Sequence, residues 1–148
     1  MGVQQQHKTQ RSANMTDLAS LDTNKASEEG VWVEIENPAN GEFTGIRIKV
    51  LGMDSKVYQD QTRKVQDRNL KKGFRGMKNL KTETLDNNKI ELICDCTTEW
   101  EAVEYNGESL ECNAENKRWL YKTFRWIFDQ VDEFMGDRGN FLEGYETK

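Results

Sequence analysis

Large apolar side chains are scarce over the first 27 residues, where Gln, Ser, Thr, Asn and Asp dominate. A stretch with so little to bury does not offset the entropy of ordering it, so residues 1–27 are expected to form a disordered polar arm. The pattern changes at Val31. Val31, Val33 and Ile35 alternate with Trp32, Glu34 and Glu36, and this period of two predicts a strand. Asn37, Pro38, Ala39, Asn40 and Gly41 form a turn cluster. Ile46, Ile48 and Val50 then alternate with Arg47 and Lys49, so the two runs predict a β-hairpin with a Gly-containing loop. On its outer face Glu34 and Glu36 are expected to meet Arg47 and Lys49, each cross-strand pair contributing only a few tenths of a kcal/mol.

Beyond the hairpin the period lengthens. Asp54 or Ser55 can cap a helix in which Val57, Tyr58, Gln61, Val65 and Leu70 form a thin apolar stripe, running to about Lys72. Gly73 and Gly76 predict a break there. A further helix is expected from about Asn79 to Thr97, with Asp86-Asn87-Asn88 able to interrupt it. Residues 100–112 are expected to form a small hairpin around Asn106-Gly107, because both positions tolerate positive φ. Asn113 then suits the cap of a helix to about Tyr121. A last helix carries Phe124, Ile127, Phe128, Val131, Phe134 and Met135 on one broad apolar face and ends near Gly136 to Gly139. The expected fold class is α+β: an N-terminal β-hairpin, a helical body, a small second hairpin and C-terminal helices, with helix predominating. Residues 28–142 are expected to form one such domain, followed by a short acidic tail over 143–148.

Composition sharpens this outline. With 35% hydrophobic and 32% charged residues the chain is polar, yet four Trp, six Phe and four Tyr argue against full disorder. No apolar run approaches the roughly 18 residues that span a bilayer, and the N-terminus lacks the apolar region of a secretory signal. Three cysteines, an odd number, do not suggest a disulfide framework, and a reducing cytosol is the simplest expectation. The net charge of −5 conceals an asymmetry: +1 over residues 1–27, −3 over 28–53, +5 over 54–90 and −8 over 91–148. A basic middle between acidic flanks can steer different partners to different faces.

The candidate chemistry points away from catalysis. Zinc sites need about four ligands, and Cys94, Cys96 and Cys112 have no nearby histidine to join them, since His7 lies in the arm. On a helix Cys94 and Cys96 diverge by about 200°, which favours small buried thiols. A nucleophilic triad lacks its usual base, and the chain has no phosphate loop, dinucleotide fingerprint or H-E-x-x-H. Neither a catalytic residue, a cofactor nor a metal is therefore expected. The basic stretch is more informative. Arg63, Lys64, Arg68, Lys71, Lys72 and Arg75 could neutralise phosphates while Phe74 stacks on a base. The acidic balance of the whole chain disfavours nucleic acid, and favours an acidic protein partner or self-association with the acidic C-terminal half. Arg118-Trp119 and Arg125-Trp126 pair the residue types enriched at interface hot spots. Trp119, Trp126 and Phe134 are accordingly candidate partner-binding residues, against the competing assignment of each to the core.

Trp100…Tyr105-Asn106-Gly107-Glu108…Leu110-Glu111-Cys112…Glu115-Asn116…Leu120-Tyr121…Phe124-Arg125-Trp126-Ile127…Gln130-Val131…Phe134…Asp137-Arg138-Gly139-Asn140-Phe141-Leu142 resembles small proteins of tailed bacteriophages. They are the tail assembly chaperones encoded near the tail tube and tape measure genes. The segment Gly30-Val31-Trp32-Val33…Pro38…Gly41…Gly45-Ile46-Arg47-Ile48-Lys49-Val50 is similar to the N-terminal part of the same proteins. The resemblance implies a non-catalytic protein of the host cytoplasm that holds the tape measure protein soluble and recruits tail tube subunits. It brings no catalytic residues with it. A long helical client calls for apolar grooves and charged surfaces. Here those are expected on the terminal aromatic helix and the basic 63–78 helix. The alternatives are a structural virion component, such as a tail or connector subunit, and, less favoured, a nucleic-acid-binding protein using residues 63–78.

Overall fold

The computed structural model describes residues 15–78 and 82–142. The first part of the expected arm (1–14) and the acidic tail (143–148) lie outside these residues. The fold is α+β with helix predominating. Strands β1 (Val31–Glu36), β2 (Phe43–Val50) and β3 (Thr97–Glu101) form one antiparallel sheet in the order β1-β2-β3. Val33 pairs with Ile48, and Ile48 in turn with Trp100. Val33, Ile35, Ile48 and Val50 are buried, so the alternating pattern of the first two runs does mark the inner face.

Helices supply the rest of the core. They are α1 (Asn24–Glu29), α2 (Lys56–Lys78), α3 (Thr82–Cys96), α4 (Ala114–Thr123) and α5 (Arg125–Met135). A hairpin of β4 (Glu104–Tyr105) and β5 (Glu108–Ser109) precedes α4. A 3₁₀ turn at Arg138–Phe141 closes the fold. Ile127, Phe128, Val131 and Met135 of α5 are buried with the sheet residues, Ile90 and Ile93 of α3, and Leu120 and Tyr121 of α4. Burying side chains of this size contributes about 1.5–3 kcal/mol each against the unfolded chain, which makes this cluster the main support of the fold.

Several helix ends follow the sequence. The Ser55 hydroxyl accepts from the Tyr58 N–H at 3.2 Å and so caps α2, while Asp54 is engaged elsewhere. Asn113 caps α4 by accepting from the Asn116 N–H at 2.8 Å. Gly73 breaks the helical dihedrals of α2 with φ 75°, a left-handed value that glycine adopts without steric cost. In α3 the Asp86-Asn87-Asn88 run does not interrupt the helix.

Three expectations need correction. First, Thr97–Glu101 is a strand, with no connecting loop between α3 and β3. The carbonyls that a helix end leaves unpaired are taken up by distant groups. The Thr97 hydroxyl donates to the Ile93 carbonyl at 2.8 Å, and the Leu51 N–H donates to that of Cys96. The Lys117 ammonium donates to the carbonyls of Cys94 at 3.1 Å and Thr97 at 2.8 Å, a cation at the negative end of the helix dipole. No local turn signal is required, so none is present in the sequence. Second, the polar arm is shorter than expected. Leu18–Leu21 forms a 3₁₀ turn and α1 follows, with Ser27 buried. Polar contacts hold it: the Gly52 N–H donates to the Ser27 carbonyl, the Glu28 carboxylate accepts from the Lys56 N–H, and the Thr23 hydroxyl donates to Asp54. Third, Arg47 and Lys49 are shared differently. Arg47 bonds Glu101 at 3.3 Å and Lys49 lies 3.8 Å from Glu99, both on β3, and both cations stack over the Trp32 ring. Glu34 does stand opposite Arg47, but an irregularity after Glu34 brings Glu36 opposite Phe43.

The seat of α1 gives a direct test. A β-carbon added at Gly52 would stand 2.3 Å from Ser27 Oγ and 2.9 Å from Phe141 Cδ2, and both of those residues are buried. Gly52→Ala is expected to destabilise the fold by about 1–3 kcal/mol, read as a lower urea midpoint with an unchanged slope. An unchanged midpoint would show that α1 is not seated on Gly52.

Candidate functional site

The basic helix presents two faces. Val57, Tyr58, Gln61, Val65 and Asn69, at three-and-four spacing, are half-buried, and α2 packs along α3. Arg63, Lys64, Arg68 and Lys71 are exposed, together with Lys56 and Asp67. Leu70, expected in the apolar stripe, instead leaves 69% of its surface in solvent: Asn69 takes the place on the packed face, and Leu70 lies at least about 100° round the helix from Lys64, Arg68 and Lys71. Arg63 pairs with Asp60 one turn back at 3.3 Å. The backbone of Lys72, Phe74 and Arg75 continues α2, but the roles expected of their side chains lie outside the described residues.

The aromatic candidates are divided between core and surface. Trp126 is half-buried against the core, and Phe134 meets Phe141 edge-on with ring centroids 5.7 Å apart. The apolar face of α5 packs on β1 and β2, so it forms an interior wall and not an open groove. Trp119 is also half-buried, but on its outer side it meets Tyr105 at 4.9 Å and Phe124 at 5.5 Å, both edge-to-face. Tyr105, on β4, leaves 48% of its surface in solvent. The hairpin that carries it turns at Asn106-Gly107, with φ 52° and 81°, and is fixed beneath by Trp100, whose indole N–H donates to the Leu110 carbonyl at 2.8 Å. Glu104, Glu108, Glu111 and Glu115 are exposed, and Glu108 stands opposite Tyr105 in the hairpin. Sequence inspection singled out Trp119 but not Tyr105 or Phe124 as its surface neighbours, because the cluster exists only once the hairpin folds back on α4.

The remaining polar constellations serve the fold. Arg118 makes a two-pronged ion pair with Glu91, joining α4 to α3. Burial and the neighbouring Glu91 hold Asp95 above the usual carboxylate range, opposed by Lys117 and Lys64. An open cleft of about 490 Å³ is lined by Leu21, Thr23, Asn24, Asp54, Arg138, Gly139 and Leu142. Its charged groups satisfy one another: the Arg138 guanidinium donates to both Asp54 oxygens, at 2.9 and 3.2 Å, and Thr23 donates to one. Those bonds hold the Asp54 carboxyl below its ordinary pKa and leave little of it for a ligand. Cys94 and Cys96 are buried and Cys112 half-buried. Burial pushes the first two thiols up to about 11 and about 12, and Cys112 upward as well, so all three stay protonated at neutral pH. Among the described residues no group of His, Cys, Asp and Glu is arranged to hold a metal ion, and no helix is long and apolar enough to cross a membrane.

No protein-family model matches the chain, and neither a curated protein nor a solved structure does.

Proposed function

We propose that this chain is a tail assembly chaperone of a tailed bacteriophage, binding tape measure and tail tube proteins in the host cytoplasm without catalysis. The observation that carries the reading is the resemblance of the run from Trp100 to Leu142. That run forms the end of β3, the β4–β5 hairpin, α4, α5 and the closing turn. Two surface features support a binding role. Partly exposed aromatic side chains are enriched at protein interfaces, and Tyr105, Trp119 and Phe124 form such a cluster. The exposed, basic face of α2 offers a second feature.

Co-expression with the tape measure protein of the same phage is the test. The expected result is a gain in that protein's soluble fraction and its retention on the tagged chaperone. No gain and no co-purification would remove the proposal. Mass spectrometry of purified virions adds a second reading: a chaperone is absent from finished particles. Stoichiometric recovery there would replace it with a structural tail or connector subunit.

A further inference from the structure

β1 lies at one edge of its sheet, with β2 along one side and, among the described residues, no strand along the other. Which of its backbone groups face outward follows from their partners. Ile35 and Asn37 face β2: the Ile35 carbonyl accepts from the Thr44 hydroxyl at 2.8 Å, and the Asn37 N–H donates to the Glu42 carbonyl at 2.7 Å. Glu36, between them, faces away. Its N–H donates to the Gln130 side-chain oxygen and its carbonyl accepts from the Gln130 side-chain amide, both at 2.8 Å. Glu34 faces outward too, since successive residues of an antiparallel strand alternate in direction. The irregularity after Glu34 does not disturb this. β1 advances two residues there while β2 advances four, from Arg47 to Phe43, and the burial of Val33 and Ile35 keeps its alternation.

Gln130, from α5, thus stands where a neighbouring strand would, and gives Glu36 the donor and acceptor that a paired residue gives. A strand edge is a template for the addition of a further strand. The side chains along this edge define the occupant. Glu34 and Glu36 project on the outer face of the sheet, opposite to the buried Val33 and Ile35. The cations of that face are taken by β3, Arg47 by Glu101 and Lys49 by Glu99. Neither Glu34 nor Glu36 has an ion pair among the described residues. We propose that the outer edge of β1 takes an extended, basic segment of a partner protein as an antiparallel strand, which displaces the Gln130 amide from Glu36. The backbone of that segment exchanges bonds with Glu34 and Glu36, and its Lys or Arg side chains, at two alternate positions, stand opposite the two carboxylates. A second copy of β1 is a poorer occupant. In the register that pairs these residues Glu34 meets Glu36 of the other copy, and like charges directly opposite are destabilising. This inference stands apart from the phage assignment, because it rests on the backbone bonds and charges of β1 alone.

Amide NMR of the full chain, titrated with the end-capped peptide Thr-Lys-Val-Lys-Thr, is the measurement. Saturable shifts are expected at residues 33–37 and at the Gln130 side-chain amide. Replacing both lysines of the peptide by glutamate reverses two cross-strand charge pairs and is expected to weaken binding about 10-fold. Methylating the two lysine backbone nitrogens keeps the charge but removes the donors to Glu34 and Glu36, and is expected to weaken binding about 10-fold as well. Gln130→Ala removes the competitor for Glu36 and is expected to tighten binding about 5-fold. Circular dichroism melts check that this variant folds, and the methylated peptide tests the parent chain independently of it. The absence of saturable shifts in β1 overturns the proposal. So does a methylated peptide that binds like the unmethylated one, or a Gln130→Ala chain that binds no tighter. A Gln130→Ala chain that dimerises in sedimentation velocity and ignores the peptide overturns it in favour of a second copy.

Discussion

Tyr121→Ala is expected to destabilise the fold by about 3–5 kcal/mol, the range for removing a large aromatic side chain from a packed core. Tyr121 is 0% exposed and meets Phe128 edge-to-face, with centroids 6.0 Å apart. Its hydroxyl lies 2.7 Å from Thr97 Oγ1. The single Thr97 proton already goes to the Ile93 carbonyl, so Tyr121 is the donor between them. The residue thus fills the space between α4 and α5 and also fastens the point where α3 becomes β3. Tyr121→Phe separates these roles. It keeps the ring and leaves Thr97 bonded to Ile93, so its cost is one hydrogen bond, about 1 kcal/mol. Urea unfolding of both variants is the check, with the slope unchanged and the midpoints in the order parent, phenylalanine, alanine. A phenylalanine variant as unstable as the alanine one would show that the hydroxyl, not the ring, carries the site.

Stability is expected to fall steeply as pH rises above about 9. Cys94 and Cys96 are buried, and loss of solvation moves their thiols from 9.0 to about 11 and about 12. The folded thiols therefore keep their protons where those of the unfolded chain release them. Raised folded values mean stability that is fully present below about pH 9 and lost as pH climbs through the folded values. While one state is protonated and the other is not, each thiol contributes a slope of up to about 1.4 kcal/mol per pH unit, or about 2.7 for the pair. Burial raises Tyr121 in the same direction, which extends the loss beyond pH 10. Thermal melts from pH 7 to 11 show the effect, and Cys94→Ala with Cys96→Ala flattens the slope at some cost in packing. A parent melting temperature that stays level from pH 8 to 11 would contradict the burial assigned to these thiols.

Much of this fold is legible in the residues that decide it locally. β1 and β2 show a face buried at every second position, and Asn113 and Asn106-Gly107 announce a cap and a turn through their own side chains and dihedrals. What stays hidden depends on partners remote in sequence. β3 begins without a break because Lys117 and Leu51, from either side of it in the chain, take up the α3 carbonyls. α1 is held by Asp54, Gly52 and Lys56 through polar bonds, so a composition that lacks large apolar groups conceals it. The same division runs through the candidate surfaces. Arg63, Lys64, Arg68 and Lys71 are exposed as helical spacing implies, whereas Tyr105 joins Trp119 only through the folded hairpin.

The direct passage from α3 into β3 also bears on motion. Large rotations of one element against another are absorbed by a few residues between them that can change φ and ψ freely. Cys96 and Thr97 are consecutive, both are buried, and the carbonyls around them are held by Thr97, Leu51 and Lys117. The base of α3 therefore has no swivel. A pull or tilt on α2 and α3 by a bound partner reaches β3 as a rigid push on its register with β2, instead of being lost in a linker. Gly73, with its left-handed φ, lies between Lys64, Arg68 and Lys71 and this rigidly joined base of α3.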